Sequence, residues 1–228
     1  MRQALIACLV VGLVLPAAAA EPVGTVEFVE SWPQHTNLDV ADLRDAALVW
    51  PEVFAAARSR IDLAGFYFSR KGDGDDAYGP DSAPDLLAPA LAAVGAAAAQ
   101  GVAVRCLADG KFAANYPEVP AWLDGLPGAE TRIWDVAADF GGVLHAKYFL
   151  VDDDVLWLGS QNFDWRALGQ IRELGVLVQH PELAAAARRI YDLDWSLAAG
   201  GEVAETASVP ASLEELPRLW LRTAQGAE

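Results

Sequence analysis

The sequence predicts a single α/β domain, a mixed β-sheet flanked by helices, and three observations carry that reading. Short apolar runs alternate with stretches of helical length along most of the chain, the pattern of stacked sheet and helix layers. Two of the runs, Val143 to Val151 and Val155 to Gly159, are joined by Asp152-Asp-Asp154, a turn that makes them neighbouring strands. The 228 residues are 54% hydrophobic and include eight Trp, enough to fill one substantial core.

Taken in order, the first twenty residues read as a cleavable secretory signal. Arg2 supplies the positive start, Ala4 to Leu15 the apolar run, and Pro16 with Ala17 to Ala20 the small-residue cleavage region. The run falls short of the roughly 17–25 apolar residues of a membrane span. Leu5-Ile6-Ala7-Cys8 resembles a lipoprotein box but lies too close to Met1. The protein is therefore expected to be secreted or periplasmic, with residues 21–198 forming the domain and 199–228 a linker-like C-terminal tail.

Val26 to Ser31 is the first strand, Leu43 to Arg60 a helix with Pro51 near its first turn, and Ile61 to Phe68 a central strand. The loop Arg70 to Pro84 contains Gly72-Asp-Gly-Asp-Asp76, which lacks the glutamate that closes an EF-hand and reads as a solvated turn. Asp85 to Gln100 is helix, Val102 to Leu107 strand, Trp122 to Leu126 a short helix and Glu130 to Val136 strand. After the Val143–Gly159 hairpin, Leu174 to Val178 is a further strand and Pro181 to Ala198 a helix. Ser212 to Thr223 reads as a last short helix interrupted by Pro217.

Charge and cysteine content narrow the function classes. A net charge of −16 repels polyanions at long range, which disfavours duplex DNA bound along a broad basic groove, although a local lysine and backbone amides can still capture one phosphate. Once Cys8 leaves with the signal, Cys106 stands alone and reads as a buried, inert thiol. The three histidines lack metal-ligand spacing, which weighs against a metal-dependent phosphatase.

The chemistry concentrates between Val143 and Gly175. On a strand, His145 and Lys147 present an imidazole and an ammonium to one side, a pairing suited to an anionic phosphodiester. Ser160 and Asn162 follow the next strand, where Gly159 lets backbone approach a ligand and both side chains can hydrogen-bond phosphate oxygens. Glu173, just before the third strand, is placed to accept a hydrogen bond from one nitrogen of His145 and leave the other free to attack phosphorus. Singly, each has an ordinary explanation: a surface histidine, a solvated lysine, a turn.

Together, His145-Ala-Lys147 with Asp152 match the HxKxxxxD signature of the phospholipase D superfamily, and Gly159-Ser-Gln-Asn162 falls where that family carries GSxN. The string from Gly159 through Asp164-Trp165-Arg166 to Gly175 resembles the branch holding lysosomal phospholipase-D-like 5′-exonucleases of animals and poxvirus envelope phospholipase-like proteins. Phe28-Val-Glu-Ser31 and Ile61 to Phe68 look like that branch's first strands, so the resemblance covers roughly Val26 to Leu197. It implies a covalent phosphohistidine at His145, oxygen binding by Lys147 and Asn162 with Ser160 in support, and orientation of the histidine by Glu173. It implies no metal cofactor. Asp152 holds a turn, and Arg166 is read as pairing with Asp164.

Family members with a complete site have two such motifs, one histidine attacking while the other protonates the leaving group. This sequence has one, since neither His35 nor His180 begins a His-x-Lys pair. The resemblance therefore implies a homodimer whose twofold axis completes the site, or the first half of a two-motif protein. The expected substrates are phospholipid or single-stranded nucleic acid phosphodiesters. The rival is a catalytically incomplete half-domain that binds phosphorylated ligands or a partner.

Overall fold

The computed structural model describes residues 24–72, 84–202, 219–223 and 226–227; the first twenty residues, expected to be a secretory signal, and the segment 73–76 of the acidic turn lie outside them. Strand β1 (Gly24–Ser31) is followed by β2 (Arg44–Asp45), helix α1 (Ala46–Ala55), β3 (Arg60–Gly65), the short β4 (Phe68–Ser69) and helix α2 (Ala88–Ala99). Next come β5 (Ala103–Asp109), α3 (Gly110–Ala113), α4 (Glu118–Asp124), β6 (Ala129–Trp134) and α5 (Val136–Phe140). The hairpin β7 (Lys147–Val151) and β8 (Val155–Gly159) leads to β9 (Phe163–Asp164), α6 (Trp165–Gly169), β10 (Glu173–Gln179) and α7 (Pro181–Leu197). Strands β11 (Leu219–Thr223) and β12 (Gly226–Ala227) end the described chain.

The main sheet has the order β12-β11-β1-β10-β8-β7-β3-β5-β6, with β2 pairing β1. Strands β3, β5 and β6 run parallel, as their helical crossovers require, whereas β1, β10, β8, β7 and β3 alternate in direction. The sheet is therefore mixed, as the sequence predicts. Alternate residues feed two cores: Leu63, Phe149, Trp157 and Leu177 pack under α1 and α2, while Ala64, Leu150, Leu156 and Val178 pack against α7.

The first core is aromatic at its centre. Trp50 of α1 meets Phe149, Trp157 and Phe163 at ring-centroid distances of 5.7, 5.5 and 5.1 Å, and removal of such a buried ring typically costs about 3–5 kcal/mol. Because Phe163 directly follows the Gly159-Ser-Gln-Asn162 segment, this core is the floor on which that segment rests. On the other face, buried Asp62 of β3 accepts hydrogen bonds from Arg105 Nε of β5 at 2.6 Å and from Arg188 of α7. Arg105 also reaches Asp192 at 2.9 Å and lies 4.7 Å from the Tyr191 ring centroid, so charge and stacking together seat α7.

Several expectations are corrected. The helix expected over Leu43 to Arg60 spans only 46–55: Arg44 and Asp45 pair with β1, and the Asp152 carboxylate takes the backbone N–H groups of Arg58, Ser59 and Arg60. Pro51 sits inside that helix rather than in its first turn. The strand expected over Ile61 to Phe68 stops at Gly65, and Phe68 instead pairs with Phe163 in a separate two-stranded sheet. The strand expected from Val143 begins only at Lys147, because Leu144 N–H is donated to the Asp109 carboxylate and not to a ladder. Helix α4 starts four residues before the expected Trp122. Residues 219–223, expected within a helix, form β11 beside β1, satisfying backbone groups that an edge strand would leave open. Cys106 is fully buried and unpaired among the described residues, and burial pushes its thiol up.

Candidate active site

The candidate residues gather at one end of the sheet because neighbouring strands alternate in direction. Lys147 and Glu173 begin β7 and β10, Ser160 and Asn162 follow the end of β8, and Phe66 follows the end of β3. His145 lies just outside the ladder, held from two sides: Phe66 N–H donates to the Ala146 carbonyl at 2.8 Å, and Leu144 N–H donates to Asp109 Oδ2 at 2.7 Å. The imidazole is exposed and packs edge-on against the Phe66 ring, centroids 4.6 Å apart.

Lys147 Nζ lies 3.2 Å from His145 Nδ1 and 3.1 Å from Nε2, and 5.2 Å from the Phe66 ring centroid. Burial lowers the Lys147 ammonium below its ordinary value, and the nearby Glu173 carboxylate acts against that shift. The structure thus brings His145, Lys147 and Glu173 together, but no hydrogen bond joins Glu173 to His145; the carboxylate acts through charge on Lys147 and on Tyr67. Asn162 has a buried Oδ1 with no hydrogen-bond partner among the described residues. The Ser160 hydroxyl spans the backbone of Leu174, donating to its carbonyl at 3.3 Å and accepting its N–H at 3.2 Å.

Gly159 is required by close approach: a Cβ there would lie 2.4 Å from Gln161 Oε1 and 2.8 Å from Gly175 Cα. Asp164 is fully buried and caps α6 through the N–H groups of Arg166 (2.7 Å) and Ala167 (3.3 Å). Its carboxylate also accepts from Arg166 Nε at 3.0 Å and Nη2 at 2.6 Å, so these two motif residues form an ion pair beside the site.

Asp152 lies at the other end of β7, about 17 Å away by strand rise. It occupies the turn at φ 49° and binds the start of β3, accepting from Ser59 N and Oγ at 2.7 Å each. Burial raises its carboxyl, but hydrogen bonds from Ser59, Arg60 and Arg58 outweigh that and hold it below the ordinary 3.8. A carboxyl depressed in the folded state contributes stability that is complete above the unfolded value and lost as pH falls through the native one. Asp152→Asn is therefore expected to lower stability at neutral pH and to flatten the acid limb of the stability curve below about pH 4, as read by urea denaturation across pH. His180 is also structural: it is buried, and its Nδ1 accepts Leu183 N–H at the start of α7.

Comparison with known proteins identifies the family and the fold. The family model described as "Cardiolipin synthase, PLD-like domain" matches residues 52–195. The chain belongs to the PLD-like domain family. The 5′-3′ exonuclease PLD3 of Bos taurus is 31% identical over 191 residues, covering 82% of this chain and 38% of that protein. Phospholipase D Y of Dictyostelium discoideum is 28% identical over 179 residues, covering 77% and 39%. This PLD-like chain thus spans well under half the length of these relatives. Among solved structures, Nuc of Salmonella typhimurium, a phospholipase D family member, superposes with a TM-score of 0.54 at 20% identity over 76% of this chain and 95% of that one. NucT of Helicobacter pylori gives 0.54 at 18% identity over 66% and 87%; both show the shared fold.

Two residues of the PLD-like site were not legible as such in the sequence. Phe66 reads as strand interior, and Asp109 lies at the end of β5 with nothing local to mark it. Asp109 is buried; one carboxylate oxygen caps α3 through Lys111 N–H (3.0 Å) and Phe112 N–H (3.2 Å), and the other holds Leu144 beside His145. Asp109→Ala removes the cap and orphans a buried N–H, an expected loss of about 2–4 kcal/mol. A displaced His145 is expected to lower kcat by roughly 10–100-fold, with Asp109→Asn, which keeps an acceptor, showing the smaller loss in steady-state kinetics.

Proposed function

We propose that this chain is a secreted, metal-independent phosphodiesterase in which His145 forms a phosphohistidine intermediate. The observation that carries the reading is the Lys147 ammonium against both ring nitrogens of an exposed His145, with the unpartnered Asn162 oxygen on the adjoining segment. One imidazole nitrogen attacks phosphorus and the ester P–O bond breaks. Lys147, Asn162 and Ser160 hold the nonbridging oxygens, and Glu173 balances the charge of Lys147. The leaving oxygen takes a proton from the histidine of a second motif, which then deprotonates water as it attacks the phosphohistidine and the P–N bond breaks.

A second copy of this chain is the proposed source of that motif. Phe28, Leu158 and Leu174 are 46%, 47% and 51% exposed, and with Leu221 at 39% they lie on one face of the sheet. Phe28 and Leu158 flank Val176 in register, and Leu174 is the residue that Ser160 grips, so the apolar stripe reaches the end of the sheet where the site lies, on the face opposite Lys147 and Glu173. Such a face supports an isologous C2 contact between two copies of the chain. The substrate is a phosphodiester of phospholipid or single-stranded nucleic acid.

Turnover of bis(p-nitrophenyl) phosphate in excess chelator, with mass measured by light scattering on the same sample, tests the reading. A metal-independent, active dimer is expected, with a bell-shaped pH profile because one imidazole acts neutral and the other protonated. An inactive monomer would instead favour a half-domain that binds phosphorylated ligands, the reading that the single motif supports.

A further inference from the structure

Beside His145 runs a row of aromatic rings that the phosphate chemistry leaves unused. Phe66, which packs on His145, is 3.9 Å from Phe112 by ring centroids; Phe112 is 6.1 Å from Tyr67, and Tyr67 is 5.2 Å from Tyr116, the last two contacts stacked at 27°. The rings come from separate parts of the chain: the break between β3 and β4, helix α3, and the turn after it. Unlike the Trp50 cluster, which is fully buried, all four rings are only half-buried. A cavity of about 400 Å³ opens on three of them, lined by Tyr67, Phe112, Tyr116, Arg166, Gln170 and Ile171.

A second cavity of about 470 Å³ shares Tyr116 and Arg166 with the first and adds Arg70, Lys71 and one carboxylate, Glu118. Arg166 is oriented by Asp164 and by a hydrogen bond to Tyr116, and Arg70 by Asp85 at 3.2 Å. In a chain of net charge −16, this places cations next to a path of rings that starts at the nucleophile. A ligand matching that order carries a planar ring close to its reacting phosphate and further anionic groups beyond it. A lipid phosphodiester has no planar ring to offer, and its acyl chains would meet guanidinium and phenol groups.

We propose that Tyr67, Phe112 and Tyr116 form a stacking subsite for a nucleobase of single-stranded nucleic acid, and so set the substrate preference of the site. The inference rests on reading His145 as a phosphodiesterase centre. Because every base has a π-face, the subsite is tolerant of base identity, with Arg70 and Lys71 meeting the next phosphates.

The test is calorimetric titration of the His145→Ala chain, which is expected not to turn over, with two four-unit probes of equal charge: tetrathymidylate and the same backbone carrying abasic tetrahydrofuran units. Tetrathymidylate is expected to bind at least about tenfold more tightly. Phe112→Leu or Tyr116→Leu, each in the His145→Ala background, is expected to bring its affinity down towards that of the abasic probe. Equal binding of the two probes overturns the proposal, as does tighter binding of phosphatidylglycerol vesicles than of tetrathymidylate. The probe comparison needs no folded ring variant. Wild-type turnover of bis(p-nitrophenyl) phosphate reports separately on the catalytic reading. Turnover with equal probe binding overturns the subsite alone, and base-selective binding without turnover supports the subsite while overturning the catalytic reading.

Discussion

His145→Ala is expected to lower kcat for bis(p-nitrophenyl) phosphate by at least about 10³-fold while leaving the melting temperature within a degree or two, because the exposed imidazole contributes little packing but supplies the nucleophile. Lys147→Met is expected to act differently. It removes the cation that meets phosphate charge in both ground and transition states, so KM should rise and kcat fall, the latter by about 10²–10³-fold. Lys147→Arg keeps the charge but replaces a compact ammonium with a wider planar fork, and should recover only part of the loss. If the site straddles a dimer, mixing His145→Ala with Lys147→Met subunits gives heterodimers in which neither half-site is whole, and activity should not return. Retention of more than about a tenth of wild-type kcat by His145→Ala would rule out the phosphohistidine route, whatever the fold.

How far the sequence discloses this site follows from how local each part is. His145, Lys147, Ser160 and Asn162 lie within one hairpin and its exit, so their spacing alone brings them together. Asp152 is legible as a turn residue for the same reason, and its four donors, all from residues 58–60, explain why a signature carboxylate sits far from the chemistry. Asp109 and Phe66 reach His145 only because β3 and β5 end at the same side of the sheet, and no local pattern encodes that. The aromatic row is distributed in the same way. The C-terminal strand β11 reads as helix from sequence because Leu219–Thr223 has no period long enough to separate helix from strand; its state is set by the open edge of β1. Glu173 marks the limit in the other direction: its position is as expected, but its charge partner is Lys147 rather than the ring of His145.

The largest expected effect on stability lies on the opposite face, at Asp62. This carboxylate is fully buried at the centre of the sheet and shared by Arg105 and Arg188, whose side chains are 25% and 9% exposed. Burying three charges is unfavourable unless each is matched, so the cluster's net worth is small, but removing one member strands the others. Asp62→Ala leaves Arg188 with only the Asp152 carbonyl as acceptor among the described residues and leaves Arg105 with Asp192 at the surface. The expected loss is about 3–5 kcal/mol, read as a lower urea midpoint with an unchanged m-value. Since Arg188 ties α7 both to β3 and to the β7–β8 turn, loosening it should also raise hydrogen exchange along α7 before global unfolding. The double variant Asp62→Leu with Arg188→Met replaces charge with apolar volume and should regain most of the loss, with Arg105 still held by Asp192 and the Tyr191 and Trp195 rings. An equally unstable double variant would mean that the ion cluster itself, and not the stranded charge, fixes the helix.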